Sequence, residues 1–200
     1  MRIIAGEHRG RRLAGPADER TTRPITDRVK EALFDRLTSL GLFGDFEAGP
    51  VADVFCGTGS MGLEALSRGA RRCVFVDRDR AALAGLKENV DAMGVGDRSV
   101  VAAGDALSGA WAGRLGGDRA AVVFVDPPYA LMADTPERVG RLLGRVAADA
   151  LHPEGVVVLR TPVGAVPEAA SGLSRLRSDR YGGMSLHLYE RASGGASRAD

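Results

Sequence analysis

Between residues 51 and 160 short apolar runs alternate with longer segments of helical rhythm. The runs are "VADVF", "CVFVD", "SVVAA", "AVVFVD" and "GVVVLR"; "RAALAGLKENVDAM" is the clearest of the helical segments. Strands that are apolar at every position, separated by helices, predict a parallel sheet covered on both faces. Upstream, "DRVKEALFDRLTSL" (residues 27–40) places Val29, Leu33, Leu37 and Leu40 on one helical stripe, with Thr26 or Asp27 as N-cap. Residues 1–13 read as a small hairpin, with Arg2-Ile3-Ile4 and Arg12-Leu13 flanking a bend from Gly6 to Gly10. Near the other end, Met184, Leu186 and Leu188 alternate with polar residues after the Gly182-Gly183 turn. This predicts an antiparallel hairpin at a sheet edge. The expected organisation is a basic hairpin and loop (1–20), one main domain (21–191) and a flexible tail (192–200).

The run into the first helix of the sheet, "DVFCGTGSMGLEALSRGA", contains Gly57, Gly59 and Gly62 as G-x-G-x-x-G. Glycines between a strand and a helix allow a tight turn and close approach of a ligand to the backbone. Asp77 closes the second strand, where an acidic side chain can accept from ribose hydroxyls. A nicotinamide-binding domain fits that motif, and so does a tight turn whose glycines serve packing alone. Three further features change the picture. Asp53 lies four residues before Gly57, where a carboxylate is of no use to a pyrophosphate. Asp105, in "AAGDAL", is placed either to meet an adenine amino group or to cap the following helix. "VFVDPPY" then ends the fourth strand in two residues that cannot donate to a ladder. Ligands of open α/β sheets bind at the carboxyl ends of the strands. Gly57, Asp77, Asp105 and Asp126 therefore converge on one crevice. An acid-lined crevice suits a ligand with a sulfonium and an amino-acid end, and the expected cofactor is S-adenosylmethionine.

The Asp126-Pro127-Pro128-Tyr129 corner supplies chemistry as well as a stop. The lone pair of an exocyclic base amine is delocalised into the ring. A carboxylate from Asp126 and the carbonyl of Pro127, aimed at the two amine hydrogens, would localise it, while Tyr129 stacks on the base. Methyl transfer would then depend on positioning and electrostatics. No metal is expected, since His8, His152 and His187 are scattered and neither cysteine has a near partner.

With 200 residues and 44% hydrophobic content, one compact domain can bury its own core. Its two cysteines, Cys56 and Cys73, lie in apolar runs and read as reduced thiols. No 18-residue apolar stretch and no signal-peptide core occur, so a cytoplasmic protein without membrane association is expected. The net charge of +1 gives no global nucleic-acid signature. Charge is local instead: Arg2, Arg9, Arg11 and Arg12 against Glu7 give residues 1–12 a net of +3. Such a segment beside the cleft can bind phosphates of folded RNA, although a solvated edge has the same composition. It is expected to lie outside the core.

"DPPY" resembles the motif of amino-methyltransferases acting on adenine, cytosine or guanine. "RIIAGEHRGRRL", "RPITDRVKEALFDRL", "DVFCGTGSMGLEALSRGA", "VFVDPPY" and "RYGGMSLHLYER" together resemble the RsmD-like 16S ribosomal RNA guanine-N2 methyltransferases over nearly the whole chain. That resemblance implies a class I, Rossmann-like methyltransferase fold, with seven strands, mostly parallel, and an antiparallel last strand. It implies as substrate the N2 amine of a guanine (position 966 in the usual 16S numbering) in the small ribosomal subunit or its assembly intermediate. By the same resemblance Arg23 and Thr26 would lie near the methionine end of the cofactor. Arg160 departs from the pattern, which often has glutamate there. Another amino-methyltransferase of this fold, acting on adenine in DNA or RNA, is the alternative.

Overall fold

The computed structural model describes residues 1–15, 25–43, 50–165 and 171–192. Arg23 and most of the expected tail lie outside these ranges. The elements are α1 (Asp27–Ser39), β1 (Val51–Val54), α2 (Ser60–Ser67), β2 (Cys73–Asp77), α3 (Arg80–Met93), β3 (Ser99–Ala103), β4 (Ala120–Val125), α4 (Tyr129–Asp134), α5 (Pro136–Arg145), β5 (Leu151–Pro162), β6 (Leu173–Tyr181) and β7 (Met184–Arg191). Short 3-10 turns cover Ala106–Ser108 and Ala110–Leu115. The strands form one seven-stranded sheet in the order β3-β2-β1-β4-β5-β7-β6. Strands β1 to β5 pair in parallel, and β7 inserts antiparallel between β5 and β6.

The period of two along each strand divides the interior into two layers. Val51, Phe75, Phe124 and Val158 pack beneath α1, α2 and α3; Val54, Val76, Val125 and Leu159 pack beneath α4, α5 and Trp111. Burial on both faces explains the apolar runs of β1, β2, β4 and β5, whereas β3 at the sheet edge is only half-buried and its Val101 is 44% exposed. The stripe of α1 buries Val29, Leu33 and Leu37 as expected, but also Phe34, while Leu40 falls past the helix end and is 49% exposed. Thr26 occupies the N-cap position without a side-chain cap bond. No helix among the described residues is long and apolar enough to cross a membrane.

The amino-terminal segment forms the small hairpin expected of it: Arg2 and Arg12 make an antiparallel bridge, Ile3 donates to the Arg11 carbonyl, and its own carbonyl accepts from Gly10. One expectation needs correction: the segment belongs to the core, because Ile3 (1% exposed) and Leu13 (7%) are buried among the side chains of α1 and α2. Its backbone is held as firmly as its apolar groups. Ile4 and Ala5 donate to the Glu64 carboxylate, Glu7 donates to the Ser67 carbonyl, and His8 donates to Ser67 Oγ. The buried Lys30 ammonium donates to the Arg2 carbonyl and lies 3.3 Å from Glu64. Gly6 is required at the closest approach, since a Cβ there would lie 1.9 Å from the Ser67 carbonyl oxygen.

Candidate active site

The carboxyl ends of β1 to β4 open onto a crevice of about 810 Å³, within the size range of a small-molecule site. Phe55, Gly57, Asp77, Asp105, Asp126 and Pro128 all contribute to its walls. The glycine loop is shaped by its own turns. Phe55 is the one non-glycine residue at positive φ (63°) among the described residues, and it turns the chain out of β1 at the crevice wall. Gly57 (φ 54°) has open space where a Cβ would stand, so its backbone is accessible to a ligand. Gly59 (φ 86°) and Gly62 serve packing instead: a Cβ at either would lie 2.4 Å from Leu86 Cδ1 or Phe75 Cε1.

The acidic residues divide by position. Asp77 lines the crevice; one carboxylate oxygen accepts from the Gly57 amide at 2.8 Å and the other from Arg78 and Asp79. The oxygen that accepts from Gly57 retains a lone pair for a ligand hydroxyl, whereas the other is filled by its two amides. Asp105 lines the crevice and also caps the 3-10 turn behind it, accepting from the Leu107 amide at 3.0 Å, so both roles considered for it are compatible. Asp53 does not reach the crevice wall. It is 1% exposed and accepts from the Gly62 amide at 2.8 Å, beneath the loop. Burial pushes its pKa up to about 8, with the Gly62 hydrogen bond opposing and Asp126 and Asp77 adding to the rise. Any effect of Asp53 on a ligand therefore passes through the loop.

Asp126 marks the end of β4, and its amide makes a last ladder bond to the Val54 carbonyl before the prolines. Pro128 is the N-cap of α4, so Tyr129 begins a helix and the corner is a strand-to-helix junction. The Asp126 carboxylate stands between two spaces. One is the crevice, and the other is a small apolar notch lined by Ile25, Met61, Phe124 and Leu186. Burial raises the Asp126 pKa, and Arg160 opposes the rise. Arg160 was noted in the sequence only as a departure. Val125 is in register with Leu159, so Asp126 and Arg160 emerge side by side. Arg160 Nη1 donates to Asp126 Oδ2 at 2.8 Å, and its guanidinium carbon lies 5.8 Å from the Tyr129 ring centroid.

Of the four basic residues expected to face RNA, Arg2 Nε pairs with Asp27 at 2.7 Å and Arg11 donates to the Ala92 carbonyl. Arg9 and Arg12 are exposed. The bridge at Arg2 and Arg12 stands near the start of α1. The tip, from Gly6 to Gly10, packs against Ser67 and Arg98, where α2 ends and β3 begins. Most of the segment therefore flanks the sheet instead of forming a lip of the crevice. Sequence reading also missed Asn89, buried on α3, which donates to the Thr58 carbonyl inside the glycine loop and accepts from the Ala14 amide. Its place on a helix face carried no signal of that role.

Sheet order, crevice and strand-end carboxylates define the fold of a class I methyltransferase. The rRNA methyltransferase aviRa from Streptomyces viridochromogenes has the same fold, with a TM-score of 0.61 at 20% identity over 86% of this chain and 87% of that one. The chain belongs to the family described as Conserved hypothetical protein 95, which it matches over residues 1–190. It is 33% identical to Ribosomal RNA small subunit methyltransferase D of Escherichia coli (strain K12), covering all of this chain and 94% of that protein. A solved structure of yhhF from Escherichia coli superposes with a TM-score of 0.77 at 30% identity, over 96% of this chain and 97% of that one.

Proposed function

We propose that this protein transfers a methyl group from S-adenosylmethionine to the exocyclic N2 amine of a guanine in small-subunit ribosomal RNA. The observation that carries the reading is the place of Asp126: a carboxylate shared between a cofactor-sized crevice and an apolar notch, followed by Pro127 and Tyr129. The crevice suits the cofactor. Asp77 has acceptor capacity for ribose hydroxyls, Gly57 leaves room over the backbone, and the aspartates on the walls disfavour a pyrophosphate. That charge pattern weighs against a nicotinamide dinucleotide. The relatives named for ribosomal RNA methylation support the substrate class.

S-adenosylmethionine supplies an electrophilic methyl on a sulfonium sulfur, which keeps the bonding electron pair and leaves as a thioether. The residues of this chain act on the other partner. Asp126 and the Pro127 carbonyl accept the two amine hydrogens, and Tyr129 stacks on the base. The nitrogen becomes cationic as the new bond forms, and its proton passes to Asp126 and then to solvent. Thr26, next to Ile25 at the notch, and Arg23 are proposed near the methionine end. Arg2, Arg9, Arg11 and Arg12 are proposed to contact phosphates along the flank, which requires RNA to extend past the crevice.

Nucleoside analysis of small-subunit RNA tests this reading in a deletion strain complemented with wild type or Asp126→Ala. N2-methylguanosine should be lost on deletion, restored by wild type and absent with Asp126→Ala. Loss of a methylated adenine instead would transfer the same mechanism to an adenine substrate. Restoration by Asp126→Ala would reduce the corner to a turn.

A further inference from the structure

Asp126 has a partner whose geometry goes beyond charge balance. The Arg160 guanidinium is 8% exposed, bonds one oxygen of the carboxylate and lies over the ring of Tyr129. It therefore touches both side chains assigned to the target base, from a strand that supplies neither. Resting on the reading above, we propose that Arg160 is the positioning residue of this amine grip, fixing Asp126 Oδ2 so that Oδ1 is presented to the substrate amine. A carboxylate held by one oxygen keeps a single orientation, whereas a free side chain at this half-open position would sample several. The ring beneath the guanidinium is fixed by the same contact, so acceptor and stacking surface move as a unit.

The pair also governs charge. Only an ionised carboxylate can accept from the amine without offering a competing proton. The surroundings of Asp126 make ionisation costly. Ile25, Met61 and Leu186 are apolar; Asp53 on β1 is a further neighbour, but with its pKa pushed up to about 8 it is uncharged at neutral pH. Tyr129 on α4 is the other titratable side chain at the corner, while Asp77 and Asp105 line the same crevice. Arg160 is the cation that opposes these influences. Removing its charge should raise the Asp126 pKa further, so the carboxyl would be protonated at pH values where the wild type is active.

Two measurements on the full-length protein test this. Carboxyl carbon NMR, assigned with Asp126→Asn, follows the titration of Asp126 in wild type, Arg160→Gln and Arg160→Lys without cofactor or RNA. The titration should move upward in Arg160→Gln and remain near wild type in Arg160→Lys. Methyl incorporation into subunits from an unmodified strain then gives kcat/KM against pH. In Arg160→Gln the acid limb should move to higher pH, each unit lowering kcat/KM about tenfold on the acid side. Activity should recover in alkali, and Arg160→Lys should restore much of the neutral rate. S-adenosylhomocysteine affinity near wild type shows that the variants are folded. An Asp126 titration unmoved by Arg160→Gln, or a uniform loss at every pH, would overturn the proposal. If wild type itself transfers no methyl to subunits, the functional reading fails, and the NMR comparison still decides whether Arg160 controls Asp126.

Discussion

Replacing Glu64 by Gln should be among the most destabilising single changes in this chain, although the two side chains have the same shape. Glu64 is fully buried and accepts from four donors: the amides of Ile4 and Ala5, Arg68 Nε at 2.9 Å and the Lys30 ammonium at 3.3 Å. A carboxamide keeps one acceptor oxygen and turns an NH2 group toward donors on the other side. Lys30, 2% exposed, then keeps its charge without the carboxylate that compensates it. Burial lowers the Lys30 pKa and Glu64 opposes this, so loss of Glu64 pushes the amine further toward its neutral form. Removing one partner of a buried pair costs about 3–5 kcal/mol. For a chain of this size that corresponds to a fall in Tm of roughly 6–20 °C. Denaturant and thermal unfolding measure the loss, and adding Lys30→Met to Glu64→Gln should recover part of it by removing the stranded charge. A loss below about 1 kcal/mol would mean that the pair behaves as a solvated one, refuting the docking of the amino-terminal segment described here.

Asp77→Asn keeps an acceptor for the Gly57 amide and removes the charge. Calorimetry should show S-adenosylhomocysteine binding weakened by about 1.5–3 kcal/mol, and unchanged affinity would remove Asp77 from the site. Gly57→Ala and Gly59→Ala share the strain of a left-handed backbone, about 1–2 kcal/mol each, but should separate in two assays. Gly59→Ala also collides with Leu86 and should melt lower, whereas Gly57→Ala places its methyl in open space and should lose more cofactor affinity. Parallel losses in both assays would contradict that division. For Asp53, the native pKa of about 8 lies above the reference value of 3.8, so the folded state holds the extra proton between them. Stability should therefore fall as pH rises through that window. Asp53→Asn, neutral at every pH as the protonated acid is, should flatten the slope and leave the protein at least as stable as wild type at pH 7. Persistence of the slope in the variant would assign it to other groups.

Strands buried on both faces were legible because their buried positions are mostly apolar, Asp53 of β1 and Arg160 of β5 being exceptions, and the crevice was legible because four loops place ligand-competent residues at strand ends. The missed residues share a different cause: their environment is set by chain segments distant in sequence. Lys30 and Glu64 occupy faces of helices that would be solvated if residues 1–14 did not cover them. His187 alternates with leucines as a solvent-facing residue would, yet it is 3% exposed between Thr161 of β5 and Ser178 of β6. Its hydroxyl partners become visible only once the antiparallel order of the last strands is known. Arg160 meets Asp126 through the register of β4 and β5, which no local pattern encodes.

The glycine loop gives the local motif a further meaning. Asp53 from β1, Asp77 from β2 and Asn89 from α3 each bond a different backbone group of it, namely the Gly62 amide, the Gly57 amide and the Thr58 carbonyl. Two of the acidic residues that sequence reading assigned to the cofactor are thus already engaged in holding the loop that would receive it. Binding does not then have to order the loop, and the entropy of fixing it is not charged to the ligand. Asn89 extends the same brace to Ala14, so the amino-terminal segment, the helix beneath it and the glycine loop share one hydrogen-bond network. A perturbation of the segment would reach the proposed cofactor site through Asn89, without any arginine of the segment touching the ligand.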